Sequence, residues 1–456
     1  MIDKNKIDPN NGVFCVAPWM TLNIRQDGQV SPCCVCEYVY GDINKKSLWE
    51  IWNDEPIRKF REGMINGTPH KNCEVCYNNQ AAGKSSMRED TIRNLWTPIG
   101  DQYQIDTFKE RFLTNTTSEY MDDYMMDISK SSNPRRGGEV DVRNFVYQTN
   151  DDYSVNEPGF IFWDLKLSNK CNFKCRMCSW TASSSFELEQ FGKISGKWNA
   201  AEKTYEEVEP YLGVVEHLYF SGGESIIIDE HWKIMDKLIE LNRNNKVTVA
   251  YNSNFSNLVY KGRHIFDLWD EFNREMQVHI SVDGVGARGE LIRKGFKWDR
   301  FVSHAEQFRE RFKSKEHTHQ LHFDCTVQAL NIFDITTLHQ YLYDSGLMRN
   351  VDWFFLNFLQ TPREMSVWIL DKKTKEAAKE NIRNHINNFL IPNKSVICLE
   401  FYESLLTYID LYQEQKLIPK FLDSMRRFDK LRDENIIETF PEFQRIWDVI
   451  KVKPKT

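Results

Sequence analysis

The sequence predicts an α/β protein: a partial (β/α)6 barrel of the TIM type, with a cysteine-rich module before it and a helical region after it. Two patterns carry this prediction. From Gly159 to about Leu359, short apolar runs alternate with amphipathic stretches, as strand–helix units and a parallel sheet require. Six of the eleven cysteines, by contrast, fall within residues 12–95, where no such alternation is seen.

In the first segment, Ser47 is placed to cap a helix through Leu48, Trp49, Glu50, Ile51 and Trp52. A second helical stretch runs through Ile57, Phe60 and Met64. Residues 96–155 look like a linker. They carry the Asn133-Pro134-Arg135-Arg136-Gly137-Gly138 run, with one helix around Tyr103–Phe112. Strands are expected near 160–167, 214–220, 246–252, 276–282, 321–327 and 351–357, with the clearest helices at 228–241, 298–312 and 333–343. Six strands would make a three-quarter barrel. After residue 366 only helices are expected, broken at Ile391-Pro392-Asn393 and near Pro441. The domain boundaries are therefore 1–95, 96–155, 156–365 and 366–456.

A chain of 456 residues with 41% hydrophobic and 13% aromatic content can build a sizeable core. Its net charge of −7 argues against a general nucleic-acid binder. No apolar run reaches the length of a membrane helix, and Met1 to Asn11 is polar rather than signal-like. The cysteines are odd in number and clustered at ligand spacings, so a reducing cytoplasm is the expected location.

Cys171, Cys175 and Cys178 form a Cys-x3-Cys-x2-Cys triplet directly after the first predicted barrel strand. With eleven cysteines in this length, about 0.006 such triplets are expected by chance. Three thiolates at this spacing can hold three irons of a 4Fe–4S cube and leave the fourth iron open to a ligand. A zinc knuckle would want a fourth Cys or His nearby, and none follows Cys178 at short range. A thioredoxin-like Cys-x-x-Cys would leave Cys171 without a role.

On this triplet the sequence resembles the radical S-adenosylmethionine (radical SAM) superfamily. The residue before the third cysteine is often aromatic in that superfamily, and here it is Met177. The resemblance implies that the open iron chelates SAM and that one electron cleaves it to a 5′-deoxyadenosyl radical, which takes hydrogen from substrate. It implies further site residues at strand ends, where α/β barrels place their chemistry. Gly222, Gly223 and Glu224 look like the Gly-Gly-Glu turn that binds SAM's amino group, the alternative being an ordinary glycine turn. Asn252 and Asn254 suit ribose hydroxyls or, equally, a helix cap. Ser281 and Arg293 would reach SAM's carboxylate. Asp283 would turn the chain or touch substrate, and Gln328 and Asn331 would face the adenosine.

The first segment carries a second resemblance. Cys15 within Phe14–Trp19, Gly28-x4-Cys33, the Leu48-Trp49-Glu50-Ile51-Trp52 helix and Cys73-x-x-Cys76 look like the SPASM/twitch module of radical SAM enzymes. That module usually follows the barrel, and here it precedes it. The resemblance implies one auxiliary 4Fe–4S cluster on Cys15, Cys33, Cys73 and Cys76, with Cys34 or Cys36 as a substitute for Cys33. A four-thiolate zinc site is the alternative. Cys325 and Cys398, with the Trp49/Trp52 pair and Trp353-Phe354-Phe355, read as packing residues.

The expected function is a radical SAM enzyme that abstracts hydrogen from a substrate carbon, using SAM on the catalytic cluster and one auxiliary cluster. The substrate class expected is a peptide or protein, with a carbohydrate or small metabolite as the alternative. The reductant would be a flavodoxin or ferredoxin. A non-catalytic iron–sulfur electron carrier is the rival from another class, and a zinc-stabilised scaffold the third.

Overall fold

The computed structural model describes residues 7–81, 86–92 and 142–444. The helix expected around Tyr103–Phe112 and most of the 96–155 linker lie outside the described residues. The chain divides into two compact units. One comprises Met1–Ser168, Gly196–Ala250 and Glu271–Met276; the other comprises Asn169–Ser195, Tyr251–Asp270 and Gln277–Thr456.

The first unit is a mixed sheet flanked by helices. Phe162–Leu165 lies between two parallel neighbours, His217–Phe220 on one side and Thr21–Ile24 on the other. Thr21–Ile24 then pairs antiparallel with Gln29–Ser31, which pairs with Gly41–Asp42. Trp163, Leu165, Leu218, Phe220, Leu22 and Ile24 are all fully buried and, being in register, make one apolar face of the sheet. The strand at Thr21–Ile24 was not expected. Four residues are too few to display a period, and its parallel partner lies about 140 residues on.

The helix Leu48–Asn53 begins as anticipated. Ser47 accepts from the Glu50 amide and Glu50 reaches back to Ser47, a reciprocal capping box. Trp52 is fully buried against Phe160. Behind it lies the buried Arg61, which donates to the carbonyls of Pro18 and Trp52 and sits over the Trp52 ring. Its charge is shared by carbonyl oxygens and an aromatic face, with desolvation lowering its pKa to about 10.

The strand Met276–Ser281, which belongs to the second unit from Gln277 on, shows the period of two that a half-covered strand needs. Met276, Val278 and Ile280 are buried, while Gln277, His279 and Ser281 share the opposite, partly open face. His319–Val327 lies beside it and pairs in parallel with Phe354–Phe358. Trp298–Arg311 and Ile335–Asp344 are the helices expected between these strands.

The C-terminal part is helical, as expected: Lys372–His385, Ile397–Asp410 and Ile418–Arg432. The break at Ile391–Asn393 is real, and the chain restarts under Asp352. That carboxylate accepts from Ser395 Oγ and from the Val396 and Cys398 amides, satisfying orphan donors at the helix start. Cys398 is buried, with its thiol against the Phe354 carbonyl, and Cys325 is buried within its strand.

Candidate functional site

The cysteine loop of the second unit is held by its own serines and by one arginine. Ser183, Ser184 and Ser185 open the helix Ser184–Phe191 and reach back to the loop. Ser183 Oγ donates to the Phe173 carbonyl, Ser185 Oγ donates to the Cys171 carbonyl, and Ser184 Oγ accepts from the Cys171 amide. Lys174–Cys175 pairs antiparallel with Arg293–Lys294, which sets Cys175 opposite Arg293.

Arg176, between the second and third cysteines, is fully buried. It donates to the Leu291 carbonyl at 3.1 Å and to Asp429 and Glu434, each at 2.7 Å. The helix Ile418–Arg432 thereby anchors the loop, a role the sequence did not signal because the partners lie some 250 residues away. Arg176→Ala would leave this network without its cation and destabilise the fold by about 3–5 kcal/mol, read as a lowered denaturant midpoint.

Polar side chains meet the sulfurs. Arg293 Nη1 lies 3.9 Å from Cys175 Sγ, and Asn254 Nδ2 lies 3.8 Å from Cys171 Sγ and donates to Asn172 Oδ1 at 2.9 Å. Burial pushes the Cys175 thiol up, opposed by the Arg293 charge, and pushes Cys178 up to about 12, with Cys175 adding to the rise. Both thiols rest protonated without metal, so a bound metal must displace their protons.

The other expected residues are placed as follows. Arg293 Nε pairs with the buried Asp283 at 2.7 Å, so its fork is directed at Asp283 and Cys175. Asp283 also accepts from the Thr326 amide at 2.7 Å. Asn331 is spent on structure, donating to the Asp283 and Thr326 carbonyls and accepting from the Gln328 amide. Gln328 itself is fully buried with neither side-chain Oε1 nor Nε2 partnered, and Asn252 Oδ1 is buried without a partner. Orphaned polar atoms of this kind fit a polar ligand that supplies the missing hydrogen bonds. Ser281 closes its strand on the partly open face.

In the first unit, Gly222 and Gly223 adopt φ +72 and +55, the left-handed region that favours glycine. A Cβ on Gly222 would come 3.1 Å from Lys166 Cβ. Glu224 is buried. Just before them, Ser221 Oγ donates to Asp164 Oδ1 at 2.7 Å, and Asn23 Nδ2 donates to Asp164 Oδ2 at 2.6 Å.

Asp164 also borders a cavity of about 140 Å³ in the same unit. All six cysteines of the first segment line it, along with Arg88 and Tyr219. Burial pushes Cys15 up to about 12 and raises Cys33 and Cys76. The Cys73 thiol donates to Cys36, which holds Cys36 below its usual value and Cys73 well above. Cys34 is exposed, while Cys33 is half-buried and Cys36 buried.

Six thiols around one cavity are a donor set that fits an iron–sulfur cluster. A mononuclear zinc draws its thiolates to about 2.3 Å from one centre, whereas a cube gives each thiolate its own iron.

Residues 15–77 match the family model of SPASM, an iron–sulfur cluster-binding domain. The SPASM match spans Cys15 to Tyr77 and so includes every cysteine around the cavity. No curated protein sequence matches the chain. Solved structures that resemble it include Streptococcus suis SuiB bound to S-adenosylmethionine (13% identity, TM-score 0.32, 50% of this chain and 45% of that one). Another is anSMEcpe with bound AdoMet and a peptide (18% identity, TM-score 0.33, 50% of this chain and 60% of that one). A third is SuiB bound to its precursor peptide SuiA (12% identity, TM-score 0.34, 66% of this chain and 63% of that one). The chain thus spans less than two thirds of the length of each. Among the described residues, no helix is long and apolar enough to cross a membrane.

Proposed function

We propose that the protein is a radical SAM enzyme that abstracts hydrogen from a carbon of a peptide or protein substrate, with one auxiliary cluster in the SPASM segment. The observation that carries this reading is the second unit's loop of three thiols, with Arg293 and Asn254 at the sulfurs and Gln328 buried with its amide unspent. When bound, the 4Fe–4S cluster and SAM supply a 5′-deoxyadenosyl radical. The protein's own residues do the rest. Cys171, Cys175 and Cys178 would hold three irons. Arg293 lowers the cost of thiolate charge at Cys175. Gln328, Asn252 and Ser281 would bind SAM's polar groups, and Gly222, Gly223 and Glu224 its amino group.

The six strands would form the partial (β/α)6 barrel, and Cys15, Cys73 and Cys76, with Cys33 or Cys36, would ligate the auxiliary cluster. A flavodoxin or ferredoxin would serve as reductant, in the cytoplasm. The peptide or protein substrate rests on analogy with SPASM-bearing enzymes.

The test is SAM binding by equilibrium dialysis on anaerobically reconstituted protein. Wild type binds SAM, whereas Gly222→Val/Gly223→Val keeps its iron and loses SAM. Both positions have positive φ, so the circular dichroism of the variant must match wild type for the loss to be read as a blocked contact. Wild type that holds its catalytic cluster and fails to bind SAM would overturn the assignment in favour of an electron carrier.

A further inference from the structure

One group of ionisable side chains in the second unit takes no part in holding iron or SAM. His279 stands on the partly open face of Met276–Ser281, two residues before Ser281, so roughly 7 Å along the same face. On the next strand, Asp324 places Oδ1 3.0 Å from His279 Nδ1. Both side chains are partly exposed, at 18% and 12%. An ionised carboxylate at Nδ1 selects the tautomer that carries its proton there, which leaves the lone pair on Nε2.

Aromatic rings wall the dyad. His322 packs 4.7 Å from His279 by ring centroids and lies flat on Phe355, at 5.4 Å and 3°. Phe355 also contacts the His279 ring at 5.3 Å. His322 is buried, and its Nδ1 has no hydrogen-bond partner. Desolvation holds the His322 pKa well below the usual value, so it stays neutral and does not repel a charge forming on His279.

We propose that His279 is a catalytic base for the substrate, positioned by Asp324, and that this aromatic-walled face takes an N–H or O–H donor borne on an apolar stem. In the step assigned to it, the X–H bond breaks, its electron pair stays on X, and the proton passes to Nε2. The imidazolium is then balanced by the Asp324 carboxylate. Its place in catalysis rests on the radical SAM reading, but the dyad's own chemistry does not.

The test therefore needs neither iron nor SAM. Full-length protein is treated with diethyl pyrocarbonate, and acylation of each histidine is followed by peptide mass spectrometry. Exposed His317 serves as the internal rate standard and buried His339 as the check on folding. His279 should react far faster than His339. Asp324→Asn should slow it several-fold relative to His317, and Asp324→Glu should restore much of the rate. p-Cresol should protect wild-type His279, whereas 4-methylanisole, which lacks only the O–H donor, should not. His279 remaining unreactive when His317 is complete would overturn the proposal, as would an unchanged rate in a folded Asp324→Asn. Equal protection by the two probes would overturn the claim of a donor-binding face. Should Asp324→Asn expose His339 and so prove unfolded, the wild-type protection arm decides alone.

Discussion

Cys175→Ala is expected to abolish the proposed 5′-deoxyadenosine release from reduced protein supplied with SAM. Cys175 is the best embedded of the three loop thiols: it is buried, paired through its backbone with Arg293, and has that guanidinium 3.9 Å from its sulfur. Alanine would remove one of the three proposed iron ligands and leave Arg293 without the Cys175 sulfur beside it, its pair with Asp283 remaining. A cube held by two thiolates has no defined open iron. The wild-type rate without substrate should itself be low, because an unfilled site is not closed against water. Product is quantified by chromatography, and equal turnover in wild type and variant would assign the activity to another species.

The second large effect is in metal content. Reconstituted wild type should hold about eight irons, and the Cys171/Cys175/Cys178→Ala triple variant about four, retained by the SPASM segment. Conversely, Cys15→Ala/Cys73→Ala/Cys76→Ala should keep about four irons on the loop. Cys34→Ala should leave the count unchanged, since Cys34, though it borders the cavity, is the most exposed of the three, with Cys33 half-buried and Cys36 buried. Stoichiometric zinc without cluster absorbance in the loop variant would show that the cavity holds a structural ion instead.

Much of the fold was legible because its strands and helices obey clear periods. The expected strand near 276–282 is observed at Met276–Ser281, and the helix expected at 298–312 at Trp298–Arg311. The cysteine triplet and the Gly222-Gly223 turn were legible because each is local. What escaped notice is what the chain assembles over distance. Asp283 occupying Arg293, Arg176 buried between Asp429 and Glu434, and the His279–Asp324 dyad all join residues on separate elements, and none has a sequence spacing that announces it. The choice among Cys33, Cys34 and Cys36 was likewise hidden, since three cysteines within four residues differ only in which way the turn points them.

The strand Thr21–Ile24 has a consequence for anyone cutting this gene. Because it pairs in parallel with Phe162–Leu165, the N-terminal module is stitched into the sheet and not hung from it. A truncated protein beginning near residue 156 would bare the flank of a strand whose Trp163 and Leu165 are fully buried. Such an unpaired apolar margin recruits other chains, so that fragment should be recovered from inclusion bodies. During synthesis, residues 21–24 must wait until the ribosome has emitted those near 165, leaving the cysteine-rich segment without its partner for the whole interval. Metal delivered before that moment would meet a module whose supporting sheet does not yet exist.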